Sequence, residues 1–124
     1  RGTETLLMVE DEPQLRVILQ RVLSSLGYRV LSAGDGAGAL RLAEDFDSEI
    51  HLLLTDVVMS GMKGTEVAEA FTARYPKAKV LFMTGYSYDI LDGARMDGRA
   101  MHLIEKPLKP DELAQKLREV LDGS

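Results

Sequence analysis

The sequence predicts an α/β fold: a doubly wound, five-stranded parallel sheet with helices on both faces. Three observations predict it. Short, nearly uninterrupted apolar runs recur five times along the chain, and each is followed by a stretch with helical spacing. Runs that are apolar at every residue suit strands covered on both sides, as in a parallel sheet between helix layers. No internal repeat or low-complexity linker divides the 124 residues, which are enough for one domain, 1–124, and too few for two. Right-handed crossovers then leave only a few topologies.

Leu6, Leu7, Met8 and Val9 mark the first strand, near residues 5–10. Leu15, Ile18, Leu19, Val22, Leu23 and Leu26, spaced by three and four, line one face of a helix. Pro13 suits its first turn, where a missing N–H costs nothing, and Gly27 suits its end. A second strand comes near 28–33, then a turn at Asp35–Gly36. Ala39, Leu40, Ala43 and Phe46 give a second helical face. The third strand, near 50–55, runs into a glycine-containing loop. Val67, Ala68 and Phe71 predict a third helix that closes before Pro76. Val80, Leu81, Phe82 and Met83 carry the fourth strand, near 79–84. From Gly85 to Gly98 only Ile90, Leu91 and Ala94 form an apolar face among three glycines, which predicts a short, weak helix. The fifth strand lies near 101–105. Pro110 opens a last helix with Leu113, Leu117, Val120 and Leu121 inward.

Composition narrows the functional classes. The chain is 45% hydrophobic and 28% charged, as a folded domain rather than a disordered segment should be. Its net charge is −5, which argues against the basic face of a direct nucleic-acid binder. Cysteine is absent, so disulfides, thiolate metal sites and a cysteine nucleophile are excluded; a reducing, cytoplasmic setting fits. The apolar stretch Ile50–Leu54 is interrupted by His51 and, like every other apolar run in the sequence, is far too short to span a bilayer. No charged-then-apolar leader opens the chain. Arg1 stands in place of Met, so the expectation is a piece of a longer protein, one that can itself be membrane-anchored.

The chemistry lies at the carboxyl ends of the strands. The first strand runs into Glu10, Asp11 and Glu12, the third into Asp56, the fourth ends at Thr84, and the fifth runs into Lys106–Pro107. In a parallel sheet all carboxyl ends share one edge, where open α/β sheets bind ligands. Glu10, Asp11 and Asp56 would crowd negative charge there, raising one another's pKa unless a cation compensates. Oxygen-only donors suit a hard ion such as Mg²⁺. Lys106 adds a mobile ammonium for a phosphate, and Thr84 a hydroxyl donor. A carboxylate nucleophile beside Mg²⁺ and lysine is equipment for making an acyl phosphate. Each residue alone reads more readily as a loop or helix-cap choice; the set, each at a strand end, does not.

These residues resemble one family, the receiver domain of two-component response regulators, over essentially the whole chain. The resemblance rests on Val9–Pro13, on Thr55–Met59 with Gly61 and Gly64, on Met83–Tyr86 and on Glu105–Leu108. It implies a flavodoxin-like receiver fold with strand order 2-1-3-4-5 and Asp56 as phosphoacceptor. It also implies a Mg²⁺ site (Mn²⁺ as an alternative) made by Glu10, Asp11, Asp56 and the Val58 carbonyl. Thr84 matches the switch hydroxyl and Lys106 the phosphate-binding lysine, with a cis Lys106–Pro107 peptide. The implied partner is a histidine kinase or histidine phosphotransfer domain, and the fourth helix, fifth strand and last helix form the face for a homodimer. Three positions depart from the family pattern: Ser60 stands where Pro is frequent, Leu103 where Tyr or Phe is usual, and Gly85 where Ala is usual.

Arg1–Thr5 and Phe82–Tyr86 further resemble the carboxy-terminal receiver of a hybrid sensor kinase; the alternative is a receiver from a DNA-binding or stand-alone regulator. Two other classes fit less well. A haloacid-dehalogenase-type phosphohydrolase needs a second Asp two residues after its nucleophile, where this chain has Val58. A degenerate receiver acting only as a binding module would have lost Asp56, Thr84 or Lys106. His51 and His102 read as structural residues, since Mg²⁺ prefers oxygen.

Overall fold

A computed structural model describes residues 2–59, 61–85, 95–96, 99–100 and 102–123. The chain opens with strand β1 (Thr5–Val9) and helix α1 (Pro13–Ser25), then β2 (Arg29–Ala33) and α2 (Gly36–Asp45). Next come β3 (Leu52–Asp56), α3 (Gly64–Arg74) and β4 (Lys79–Thr84). Two short strands, β5 (Arg95–Met96) and β6 (Arg99–Ala100), precede β7 (His102–Glu105) and α4 (Pro110–Asp122). Five strands pair in parallel in the order β2-β1-β3-β4-β7, which is 2-1-3-4-5 when the principal strands alone are counted.

Alternation along the strands explains their continuous apolar pattern. Leu7, Val9, Leu53, Val80 and Phe82 face one core with Ala39 and Ala43 of α2 and Val67, Ala68 and Phe71 of α3. Leu6, Met8, Leu52, Leu54, Leu81 and Met83 face a second core with Leu19 and Leu23 of α1 and Leu113, Leu117 and Val120 of α4. Both faces of each central strand are thus buried, and no position is left for a polar alternation.

Local chemistry sets the helix ends. Pro13 and Pro110 stand at the starts of α1 and α4, and Gly27, at φ +102°, comes just after the last turn of α1. The Asp35 carboxylate accepts from the Gly38 N–H at 2.6 Å and caps α2. The Glu66 carboxylate accepts from the Lys63 N–H at 2.8 Å at the start of α3.

One sequence expectation needs correction. Ile18, assigned to the inward face of α1, is 56% exposed; Leu19 and Leu23 carry that face, with Leu15, Val22 and Leu26 partly buried beside them. The α1 periodicity admits both faces, and the sheet takes the one centred on Leu19 and Leu23. The weak helix expected between Gly85 and Gly98 lies largely outside the described residues. Within it Arg95–Met96 is a strand, paired antiparallel with Arg99–Ala100. No helix among the described residues is long and apolar enough to cross a membrane.

Candidate functional site

The carboxyl ends of β1, β3, β4 and β7 deliver their polar residues to one cavity of about 410 Å³, lined by Asp11, Asp56, Val58, Met83, Thr84, Gly85 and Lys106. Glu10, 1% exposed, is joined to this lining through Lys106 at 3.0 Å. All six residues singled out from the sequence (Glu10, Asp11, Asp56, Val58, Thr84 and Lys106) therefore meet, although up to 96 positions separate them, as between Glu10 and Lys106. Backbone bonds extend the sheet into the site. The Glu10 N–H donates to the Ala33 carbonyl at 3.1 Å, the Val57 N–H to Met83 at 3.1 Å, and the Lys106 N–H to Thr84 at 2.8 Å. The Lys106–Pro107 peptide is cis.

The lysine bridges two buried acids. Its ammonium lies 2.7 Å from Asp56 Oδ1 and 3.0 Å from Glu10 Oε1. Glu10 Oε2 accepts from the Glu12 N–H at 3.0 Å, so both oxygens of Glu10 are engaged. Asp56 Oδ2 differs: it is buried and has no hydrogen-bond partner among the described residues. Such a group carries a desolvation cost of about 1–3 kcal/mol or more, so a polar ligand is expected to claim it.

Burial is the largest influence on Asp56. It pushes the carboxyl up to about 7, with Glu10 adding to the rise and Lys106 opposing it. Burial acts upward on Glu10 too, but the Glu12 N–H and Lys106 outweigh it and hold that carboxyl below its ordinary value. Burial alone would lower Lys106; its bonds to Asp56 and Glu10 outweigh that and hold the ammonium above its ordinary value.

The donor set fits a hard divalent cation. Glu10, Asp11 and Asp56 each offer an oxygen, and these oxygens lie within 4.8 Å of one another. Three carboxylates face one ammonium, an excess of two negative charges when all are ionised. The orphaned Oδ2 points the same way. Asp11 is exposed and reachable, whereas Glu10 is already bound on both oxygens, which suits it to support rather than direct ligation.

This burial makes stability depend on pH. The Asp56 pKa is raised from 3.8 to about 7, so the folded state holds this proton more tightly than the unfolded chain. The associated stability is fully present below 3.8 and is lost as pH rises through about 7. With EDTA present, Asp56→Asn is therefore expected to gain on the parent protein as pH climbs through that window, reaching a few kcal/mol above it. Denaturant unfolding at a series of pH values reads the difference; a difference that stays flat across the window contradicts it.

Other polar residues fall elsewhere. His51 Nδ1 accepts from the Thr5 N–H at 3.0 Å at the opposite end of the sheet. His102 lies on the edge strand, where burial and then Lys116 and Lys79 lower its pKa. Leu103 is half-buried against the core shared by α2 and α3. Ser60 and Tyr86 lie outside the described residues, as does most of the Gly85–Gly98 segment. Nothing in the sequence marks Arg16, which reads as a solvated helix residue. In the structure its Nη1 donates to the Glu10 carbonyl at 2.7 Å.

Residues 6–118 match the family described as the response regulator receiver domain. The sensor kinase CckA of Brucella abortus is 31% identical over 121 residues, covering 98% of this chain and 13% of the kinase. The response regulator receiver protein CpdR of the same organism is 32% identical over 117 residues, covering 94% of this chain and 95% of CpdR. The crystal structure of the receiver domain from the hybrid histidine kinase CckA superposes with a TM-score of 0.79 at 31% identity, covering 93% of this chain and 96% of that one.

Proposed function

This chain belongs to the response regulator receiver domain family of two-component signalling, and from that premise we propose that Asp56 is its phosphoacceptor. The single observation that carries the reading is Asp56 itself. It is a buried carboxylate with one oxygen held by Lys106 at 2.7 Å and the other without a hydrogen-bond partner among the described residues.

In the proposed reaction an Asp56 oxygen attacks the phosphorus of a phosphohistidine. One O–P bond forms and the donor P–N bond breaks; the imidazole leaves with the electron pair. Lys106 holds Asp56 in place beforehand and meets the new negative charge afterwards. Thr84, buried at the end of β4, donates its hydroxyl to a phosphoryl oxygen. Asp11 and Asp56, with Glu10 in support and the Val58 carbonyl, would hold Mg²⁺ or Mn²⁺. When bound, that ion neutralises charge on the transferred group and favours ionised Asp56. Thr84 is then drawn towards the phosphoryl group, and with Leu103 in place of an aromatic ring the proposed carrier of the signal is the Gly85–Gly98 segment.

We further assign residues 1–124 to a single receiver domain acting in the cytoplasm. Its donor is a histidine kinase or histidine phosphotransfer domain. Similarity to CckA supports a hybrid-kinase parent, and similarity to CpdR supports a separate receiver as the alternative. The face of β7 and α4, with the helix expected before them, is assigned to a homodimer contact, and direct nucleic-acid binding is not part of the assignment.

Intact-mass spectrometry tests the reading. With acetyl phosphate and Mg²⁺ the protein is expected to gain about 80 Da, one phosphoryl group. Excess EDTA is expected to stop the gain, because Lys106 alone does not offset the charge on the transferred group. Undiminished labelling in EDTA would remove the metal from the reaction.

A further inference from the structure

We propose, on the reading of the carboxylate cluster as a cation site, that Arg16 is a positioning residue for it: through the Glu10 carbonyl, Arg16 orients the peptide that carries Asp11. Arg16 Nη1 donates to that carbonyl at 2.7 Å. This is the short length typical of charge-assisted bonds. The remaining polar groups of Glu10 are taken by other partners. Its N–H goes to Ala33, Oε1 to Lys106 and Oε2 to the Glu12 N–H. Among the described residues, the carbonyl is bonded by Arg16. Because the peptide is planar, fixing this C=O also fixes the Asp11 nitrogen and limits where its Cβ can point. Asp11 is exposed, so core packing does not orient it; its backbone must.

Two further features show that the guanidinium has a built seat. A Cβ placed on Gly34 would stand 2.8 Å from Arg16 Nη1 and 3.4 Å from its Cζ, so the guanidinium packs closely over residue 34. Gly34 comes directly after Ala33, whose carbonyl receives the Glu10 N–H, so the guanidinium lies where the ends of β1 and β2 are joined by that backbone bond. Arg16 also stands near the N-terminal end of α1, where the helix dipole favours anions and opposes a cation. A residue so placed needs another reason to be basic, and the bond to Glu10 supplies one.

Position and charge have opposite consequences here, which makes the proposal testable. Arg16 is a cation near a cation site. If only its charge mattered, removing it would tighten metal binding. If it orients Asp11, removing it loosens binding. Calorimetric titration of the whole chain with MnCl₂, alongside metal-free thermal unfolding, separates the two. Arg16→Met is expected to weaken Mn²⁺ binding by about tenfold or more, the usual scale for a residue that orients a metal ligand. Arg16→Lys keeps a donor and a charge for this single hydrogen bond and is expected to recover most of the affinity. Equal or tighter binding by Arg16→Met would overturn the proposal. So would matched losses in Met and Lys variants that track a lowered melting temperature, which would make the role one of general stability. A parent protein that binds no Mn²⁺ would instead overturn the cation reading, and this inference with it.

Discussion

Asp56→Asn is expected to abolish the gain of about 80 Da on incubation with acetyl phosphate and Mg²⁺. Asparagine has the same shape, so the cavity and its walls should survive the change. What is lost is the anionic oxygen. An amide oxygen at the same place is a poor nucleophile, and its nitrogen would meet the Lys106 ammonium or the cavity as a donor. Glu10 does not take over, because its oxygens are committed to Lys106 at 3.0 Å and to the Glu12 N–H at 3.0 Å. Asp11 does not either, since it lacks the lysine contact that both buried acids have. The expected loss is therefore complete on the time scale that labels the parent protein. Peptide mapping of any residual product decides the matter: a phosphoryl group on another residue of the Asn variant would sink the assignment.

The strands and the site were legible in the sequence for one reason. A parallel sheet buried on both faces writes near-continuous apolar runs, and the residue that ends each run must lie on the same sheet edge. Glu10, Asp56, Thr84 and Lys106 could be placed together from that rule, and the structure puts Asp56, Thr84 and Lys106 around one cavity with Glu10 bonded to Lys106. Residues whose role depends on a single backbone contact were not legible in this way. Arg16 reaches the Glu10 carbonyl across α1, and an arginine in an amphipathic helix carries no sign of that. The exposure of Ile18 was equally hidden, because its spacing with Leu15 and Leu19 satisfies a helical stripe whichever side the sheet selects. The distribution of protons was only half visible. Crowded carboxylates were expected to raise one another's pKa, but burial rather than Glu10 proves the larger cause at Asp56.

Gly64→Ala is expected to damage both stability and phosphorylation, and more than helix propensity would suggest. Gly64 opens α3, where alanine is ordinarily preferred by about 1 kcal/mol. Here the start of the helix is pressed onto the backbone of the site. A Cβ at residue 64 would stand 2.0 Å from the Asp56 carbonyl oxygen and 2.9 Å from both the Asp56 carbonyl carbon and the Val57 Cα. These are main-chain atoms inside and just beyond β3, which cannot rotate away as a side chain can. The Gly64 N–H also donates to the Val57 carbonyl at 2.9 Å, so retreat of the helix would break the bond that closes the loop. Overpacking of this kind costs roughly 1–3 kcal/mol or more, enough to reverse the propensity gain. Relief by movement of residue 56 would shift the nucleophile itself, and a displacement near 1 Å can slow a positioned reaction by about a hundredfold. Gly61 is the control. Its φ is +81°, yet nothing lies within 4 Å of a Cβ built there. Gly61→Ala is therefore expected to cost about 1 kcal/mol through backbone conformation alone, with Asp56 left in place. Denaturant unfolding and the rate of labelling by acetyl phosphate, measured on both variants, separate the two cases. If Gly64→Ala labels as fast as Gly61→Ala and unfolds no earlier, the close approach of α3 to Asp56 does not govern the site.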